Sequence, residues 1–230
     1  MKADIILLSG SFDDSAIRMT NNTLHSLYAS EEDKDLFNVI LVESVLNSKE
    51  EMDQKDVKYV ANEFIFPNEK FNYNRFLNFG STNLKGDYVV ITNNDVIFYD
   101  SWFTNAVRVM KDASLDSCSC LSPGWVNHDC FRNSNLDPIY GFRTGYEFCG
   151  WNLIFKREVY DSLLPLDEQF DYCFQDDDIA MRLQLTGRKH GLILSSKVRH
   201  LVSRSRKYFD QNQFDSDYRR AEMLFQRKYS

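Results

Sequence analysis

Two stretches of the chain concentrate side chains able to hold a cation or move a proton, and a third supplies an imidazole. The first, YVVITNNDVIFYD, runs from Tyr88 to Asp100; β-branched apolar residues stop on Asn93, Asn94 and Asp95, and apolar residues then resume. Such residues form a turn, because their side chains bond nearby backbone. They equally suit a hard cation held at the end of a sheet, for which a carboxylate is a natural ligand. The second, YCFQDDDIAMRLQLTG, places Asp176, Asp177 and Asp178 at the expected start of a helix. Acids there are favoured by the helix macrodipole, each by ~0.3–1 kcal/mol. The run also follows Phe170, Tyr172 and Phe174, so it leaves an apolar wall, and Arg182 is spaced to pair with Asp178 at i,i+4. That pairing frees one carboxylate to act as a general base. The third, SSKVRH, ends on His200. An imidazole beside a carboxylate-held divalent ion is chemically acceptable, and a lone histidine there also serves structure alone.

Positioning these groups requires a sheet. Ala3 to Gly10 (ADIILLSG) and Phe37 to Ser44 (FNVILVES) read as buried strands, DVKYVANE as a short third strand and DYVVITNNDVIF as a fourth. Between the first two, Ile17, Leu24, Leu27 and Tyr28 fall near helical spacing, with Asp13, Asp14 or Ser15 as the cap. NEKFNYNRFLNFGSTNLKG reads as a loop and a helix ending at Gly86, and Ser101 as the cap of a helix carrying Phe103, Ala106, Val107 and Met110. Alternating strands and helices, with strands too uniformly apolar to have a wet face, predict an α/β fold with a mostly parallel central sheet flanked by helices. Residues 115 to 146 show no sustained period. A strand at Trp151 to Phe155, a short helix, a helix opened by the acidic run and closed by Gly187, a strand holding His200 and a terminal helix with Tyr218, Ala221, Leu224 and Phe225 on one side follow. Ligands of open α/β sheets bind at the carboxyl ends of parallel strands. That rule gathers Ser9 and Gly10, Glu43 and Ser44, and Asn93, Asn94 and Asp95. Backbone amides at Gly10, a carboxylate at Glu43 for a base or ribose hydroxyl, and a cation at Asp95 bridging diphosphate oxygens suit a nucleotide. An acid at a strand end such as Glu43 also serves as a solvated edge or a helix cap.

The totals narrow the classes. Of 230 residues, 43% are hydrophobic and 14% aromatic, which excludes a disordered chain. A formal net charge of -7 argues against coating nucleic acid by charge alone. No apolar run reaches the ~20 residues of a membrane helix, and IILL in MKADIILLSG is too short for a signal peptide. The expectation is a soluble, cytoplasmic protein, of a bacterium or a virus-infected host. Five cysteines form no disulfide framework. Cys118, Cys120, His128 and Cys130 lie close in sequence, but C-x-C is not the usual zinc spacing, so they read as buried thiols beside a surface histidine. No repeat, linker or boundary is visible. The chain reads as one domain: a nucleotide-binding half over 1–100, a catalytic and acceptor half over 101–205 and a helical tail over 206–230.

In this order the pieces resemble the GT-A glycosyltransferases, specifically the family 2-like group that uses nucleotide-sugar donors. NYNRFLNFGSTNLKGDYVVITNNDVIFYDSWF is similar to that group's helix and D-x-D strand end. CGWNLIFKREVYDSLLPLDEQFDYCFQDDDIAMRLQLTGRK resembles its acidic catalytic block, and KVRHLVSRS its closing strand, so the likeness spans about Ala3 to Ser205. The resemblance implies a Rossmann-like GT-A domain in which Asp95 binds Mn2+ or Mg2+ with the donor diphosphate and His200 is a further ligand. Asn93 stands where many members carry the first aspartate of D-x-D, which leaves it a hydrogen-bonding neighbour along with Asn94. Glu43 matches the acid that meets base or ribose, and Arg75 and Asn78 fall in the helix flanking the nucleotide. Asp176 matches the catalytic base, with Asp178 as the alternate, and Gln175 replaces the usual glutamate. Trp151 and Trp125 are candidates to stack on a sugar or a base, or are ordinary core aromatics.

The implied reaction moves a sugar from a nucleotide-diphosphate sugar, a UDP-sugar ranked first, to an acceptor hydroxyl with inversion in one displacement. The acceptor is a glycan or a modified DNA base. For the latter, the stretch with Arg204, Arg206 and Lys207, together with Arg219, Arg220, Arg227 and Lys228, offers a local phosphate-binding face. The same basic stretch after His200 is also placed to cover the diphosphate. A nucleotide-sugar-binding module without turnover is the alternative, favoured by Asn93 and Gln175. A nucleotidyltransferase ranks third, since SGSFDDSA carries acids where a basic, glycine-rich loop is expected.

Overall fold

The computed structural model describes residues 1–201 and 211–230, with side chains in the last segment from Phe214 onward. The expected basic stretch with Arg204, Arg206 and Lys207 lies outside the described residues. Nine strands form one sheet among the described residues, in the order β3-β2-β1-β4-β8-β6-β9-β5 with β7 paired to β9. Here β1 is Ala3–Ser9, β2 Phe37–Glu43, β3 Glu63–Ile65, β4 Tyr88–Asn93, β5 Val96–Phe98, β6 Ser117–Leu121, β7 Ile139–Tyr140, β8 Asn152–Lys156 and β9 His190–His200. The strands β3, β2, β1 and β4 run parallel; β8 enters antiparallel to β4, and β6 and β9 are again parallel. The result is the α/β sheet flanked by helices that the apolar runs predict. Helices α1 (Asp14–Ala29), α2 (Lys49–Gln54), α3 (Tyr73–Gly80), α4 (Trp102–Asp112), α5 (Arg157–Leu163), α6 (Gln175–Leu185) and α7 (Gln211–Tyr229) complete it.

The continuous apolar strands are buried on both faces, as parallel strands must be. Ile5, Leu7, Val39, Leu41 and Val90 face one core with α4, whose Trp102, Phe103, Ala106 and Met110 pack there. Ile6, Leu8, Ile40, Val42, Val89 and Ile91 face the other, against Phe76 and Leu77 of α3 and Ile179 and Leu183 of α6. A third, smaller cluster joins Phe170 and Cys173 to Ala221 of α7, with Leu224 and Phe225 packed on it. Tyr218, expected on the same face, is 44% exposed and packs tilted on the ring of Phe174 at 5.2 Å.

Several local expectations are corrected. DVKYVANE is not a strand: the Asn62 side chain takes the Val39 N–H at 2.8 Å, so the ladder with β2 begins only at Glu63. The helix α3 ends at Gly80, not Gly86, where a Cβ would stand 2.5 Å from Ile6 Cγ2; the helix lies flush on β1. Gly86 instead lies against the backbone of residues 2 to 4, and its N–H donates to the Asp4 carboxylate at 2.6 Å. Of the three possible caps for α1, Asp13 accepts from Ala16 N at 2.8 Å. Ser101 makes no side-chain cap. The Glu31 carboxylate replaces it, accepting from Phe103 N at 2.9 Å and Thr104 N at 3.1 Å. His128 is buried, not on the surface, and its ring bonds Ser122 N–H; Cys130 is exposed while Cys118 and Cys120 are buried.

Candidate active site

Asn93, Asn94 and Asp95 form both a turn and a site wall. The stretch read as one strand is two, β4 and β5, joined by a turn at Asn94 and Asp95. The turn is clamped by two threonines of α1. Thr20 Oγ1 accepts from Asn94 Nδ2 at 2.9 Å and contacts Ser9 Oγ at 3.0 Å, and Thr23 Oγ1 donates to the Asn94 carbonyl at 2.7 Å. Both threonines are fully buried. The turn reverses the chain so that β5 pairs antiparallel with β9, Val96 opposite His200. Leu201 N donates to the Asp95 carbonyl at 2.8 Å. This register brings His200 Nε2 to 3.3 Å from Asp95 Oδ1.

The pair borders a cavity of about 250 Å³ at the carboxyl ends of β1 and β4, lined also by Ser9, Gly10, Ser44, Asn93, Asn94, Tyr73 and Gln175. Asp95 Oδ1 is buried with no hydrogen-bond partner beyond its 3.3 Å contact with His200 Nε2, and the other ring nitrogen, Nδ1, is buried without a partner. Buried polar atoms left so are costly, and each calls for an explanation such as an ion or a bound group. Two ligands at ~2.1 Å from one ion and at right angles lie about 3.0 Å apart, so a spacing of 3.3 Å fits a shared divalent ion. A carboxylate oxygen suits Mn2+ or Mg2+, and an imidazole nitrogen beside it favours a transition metal such as Mn2+ over Mg2+. Among the described residues no group of three or more His, Cys, Asp and Glu is gathered that could hold a metal. The imidazole is kept in place by the Trp151 ring, stacked on it at 4.7 Å and 7°.

Asp176 sits in the first turn of α6, next to Gln175, whose buried Oε1 has no partner. Its carboxyl lies directly on Gly150, where a Cβ would collide with all three carboxyl atoms. The residue is half-buried. Burial, then the neighbouring Asp177, pushes its pKa up to about 7. Tyr73 joins the two parts of the site. Its hydroxyl donates to Asn93 Oδ1 and the Gly150 carbonyl, each at 3.4 Å. Burial, then the fields of Asp176, Tyr160 and Asp95, hold its phenol well above the ordinary range, so it stays protonated.

The structure thus brings Ser9, Gly10, Asn93, Asn94, Asp95 and His200 to one cavity, with Asp176 beside it. Five expected site residues are placed elsewhere. Glu43 is fully buried and does not line the cavity. Its carboxylate accepts from Ser11 N at 3.0 Å, Val45 N at 2.9 Å, Leu46 N at 3.3 Å and Ser11 Oγ at 2.9 Å, and so organises the loops after β1 and β2. Arg75 pairs with Glu168 at 2.7 Å and Glu69 at 2.8 Å. Asn78 bonds Leu166 through both backbone groups, and all of this fixes α3 to the 166–168 segment. Trp151 lies behind His200 rather than at the cavity surface. Asp178, the alternate base, is fully buried, and its Oδ1 accepts from Lys228 at 2.7 Å and Tyr229 at 2.6 Å; Arg182 stands off at 4.0 Å. Arg220 and Lys228, read as an exposed phosphate-binding face, pair with Asp171 at 2.6 Å and Asp167 at 2.7 Å.

Tyr73, Thr20, Thr23 and Gly150 are the contributors that sequence reasoning passes over. A tyrosine on an otherwise apolar helix face, and threonines on the buried stripe of α1, are the only local signals for three of them.

The chain has a GT-A-like fold, the fold of nucleotide-sugar glycosyltransferases. It superposes on the mannosyltransferase PcManGT from Pyrobaculum calidifontis, determined with GDP-Man and Mn2+, with a TM-score of 0.65 at 16% identity over 88% of this chain and 57% of that one. It superposes on S. aureus TarS 1-349 in complex with UDP-GlcNAc with a TM-score of 0.64 at 12% identity, over 86% of this chain and 57% of that one. In sequence it is 24% identical over 160 residues to the O-antigen biosynthesis protein RfbC of Myxococcus xanthus, covering 60% of this chain and 12% of RfbC. The chain therefore spans less than two thirds of each of these proteins. No protein-family profile matches it. No helix among the described residues is long and apolar enough to cross a membrane.

Proposed function

We propose that this protein transfers a glycosyl group from a nucleotide-sugar to an acceptor hydroxyl, with Asp176 as the general base. The observation that carries the reading is the Asp95–His200 pair, 3.3 Å apart on the cavity wall, with the Asp176 carboxyl, its pKa raised to about 7, beside that cavity. A base works best when its pKa lies near the working pH, because it is then both available and strong enough. Asp95 and His200 would hold a divalent ion, which when bound supplies positive charge to the leaving diphosphate. Asp176 takes the proton of the acceptor hydroxyl as that oxygen bonds the anomeric carbon and the bond from that carbon to the diphosphate breaks. Attack from the face opposite the leaving group inverts the centre. Asn93 and Asn94, held by Tyr73 and Thr20, present amides to the donor. GDP-Man and UDP-GlcNAc on the structurally similar proteins support a nucleotide-sugar donor, and the likeness to an O-antigen biosynthesis protein supports a glycan acceptor over a DNA base. The pairing of Arg220 with Asp171 and of Lys228 with Asp167 and Asp178 favours the same acceptor, because these charges are already partnered within the chain.

A binding module without turnover is the second reading, favoured by Gln175 in place of an acid and by the uncharged Asn93. Thermal-shift screening of GDP- and UDP-sugars with and without Mn2+ tests what the two readings share. A Mn2+-dependent stabilisation that disappears in Asp95→Asn is expected. No shift with any donor in wild type would overturn both.

A further inference from the structure

We propose that the last turn of α7 latches the segment between β8 and α6, which makes Lys228 and Tyr229 positioning residues for Asp176. The inference rests on the reading of Asp176 as the base.

Asp178 lies in the same helical turn as Asp176, fully buried, and its partners come from 50 and 51 residues away. Lys228 Nζ reaches Asp178 Oδ1 and Asp167 Oδ2 at 2.7 Å each and stands 5.3 Å over the Phe170 ring. One ammonium thereby ties Asp167, within that segment, to the first turn of α6. Burial works against that charge, and the two carboxylates outweigh it, so the ammonium is held above its ordinary range. Arg220, on the same helix, adds Asp171 at 2.6 Å. Arg182, the local partner that the i,i+4 spacing predicts, donates instead to the Leu163 carbonyl at 2.6 Å. The first turn of α6 is therefore held mainly from outside the helix, by α7 at Asp178 and by Thr144, which donates to Asp177 Oδ1 at 2.7 Å.

Two further observations tie the latch to the site. Phe174, immediately before α6, has φ of 62°, a left-handed backbone that a bulky residue adopts only when its surroundings hold it. Its ring packs against Tyr218 and Phe225 of α7 at 5.2 and 5.5 Å. The latched segment also carries the carbonyls that seat α3: Asp171 O accepts from Tyr73 N at 2.7 Å and Asp167 O from Asn74 Nδ2 at 2.8 Å. Tyr73 and Asp176 thus hang from one clamped stretch of chain.

Lys228→Met, Tyr229→Phe and the conservative Lys228→Arg test the proposal in the full chain. Removing the latch should leave donor KM within about twofold and lower kcat about tenfold or more, since small misplacements of reacting groups are expensive. Lys228→Arg should recover most of the loss. Independently of turnover, the 13C titration of the Asp176 carboxyl, assigned with Asp176→Asn, should move toward the ordinary carboxylate range in Lys228→Met and return in Lys228→Arg. If Lys228→Met does not fold, Tyr229→Phe removes one hydroxyl and carries the same expectations in smaller degree. An unchanged Asp176 titration with unchanged kcat in folded variants overturns the latch. A displaced titration in a protein whose wild type never turns over a donor upholds the latch and overturns the enzymatic reading instead.

Discussion

Gly150→Ala isolates the geometry of the proposed base from everything else in the site. A Cβ built on Gly150 falls within 3.0 Å of Cγ and both oxygens of Asp176, a separation that real Cβ atoms do not tolerate. Gly150 has no left-handed backbone, so alanine brings no conformational strain of its own. The carboxyl must retreat by about 1 Å or more, and a displacement of that size near reacting atoms costs roughly 10²-fold in rate. Overpacking of this kind costs typically ~1–3 kcal/mol of stability. Asp95, His200, Asn93 and Asn94 are left in place, so donor affinity should hold. Steady-state kinetics with a donor–acceptor pair, alongside thermal melts and donor titration, give the three readouts. Turnover within about threefold of wild type in a folded Gly150→Ala would refute the placement of Asp176 at the reacting atoms.

The remaining predictions concern charge and caps. Because Asp176 has a folded pKa of about 7, raised above its unfolded value, it favours folding below the unfolded value and loses that contribution as pH rises through about 7. Asp176→Asn should therefore raise the melting temperature near pH 8 and change it little near pH 4, and wild-type turnover should fall as pH drops below about 7. Chelation with EDTA should remove the donor-induced stabilisation, and His200→Ala should weaken it, as read by calorimetry. Glu43→Gln should lower stability by about 1–3 kcal/mol in urea melts, because the three backbone N–H groups gathered on Oε1 would then meet an uncharged amide oxygen, a weaker acceptor than the carboxylate. Glu31→Ala should cost about 0.5–2 kcal/mol through the first turn of α4.

The parallel half of the fold was legible because its strands are buried on both faces and therefore read as unbroken apolar runs, from Ile5 to Leu8 and Val39 to Val42. Asp95 and His200 were legible as residue types at strand ends, and the β5–β9 register supplies the contact that strand ends alone could only suggest. What was hidden is non-local. The Glu43 carboxylate looks free in sequence, and only the folded loops show backbone amides converging on it. Asp178 has a plausible partner four residues on, but α7 outcompetes it from the far end of the chain. Ser101 precedes a helix as a cap should, yet its left-handed backbone turns it away and Glu31, 72 residues from Phe103, does the capping. Short strands escaped for a related reason: in β3 and β5 three residues each pair with a neighbour, too few to show a period.

The central claim is that Asp176 removes the acceptor proton in a glycosyl transfer. The direct measurement is release of nucleoside diphosphate from the donor that stabilises the protein, with Mn2+ and a glycan acceptor, in wild type and Asp176→Asn at matched donor saturation. The account predicts a fall of about 10²–10⁴-fold in the variant with donor binding retained. Equal release in both proteins would contradict it.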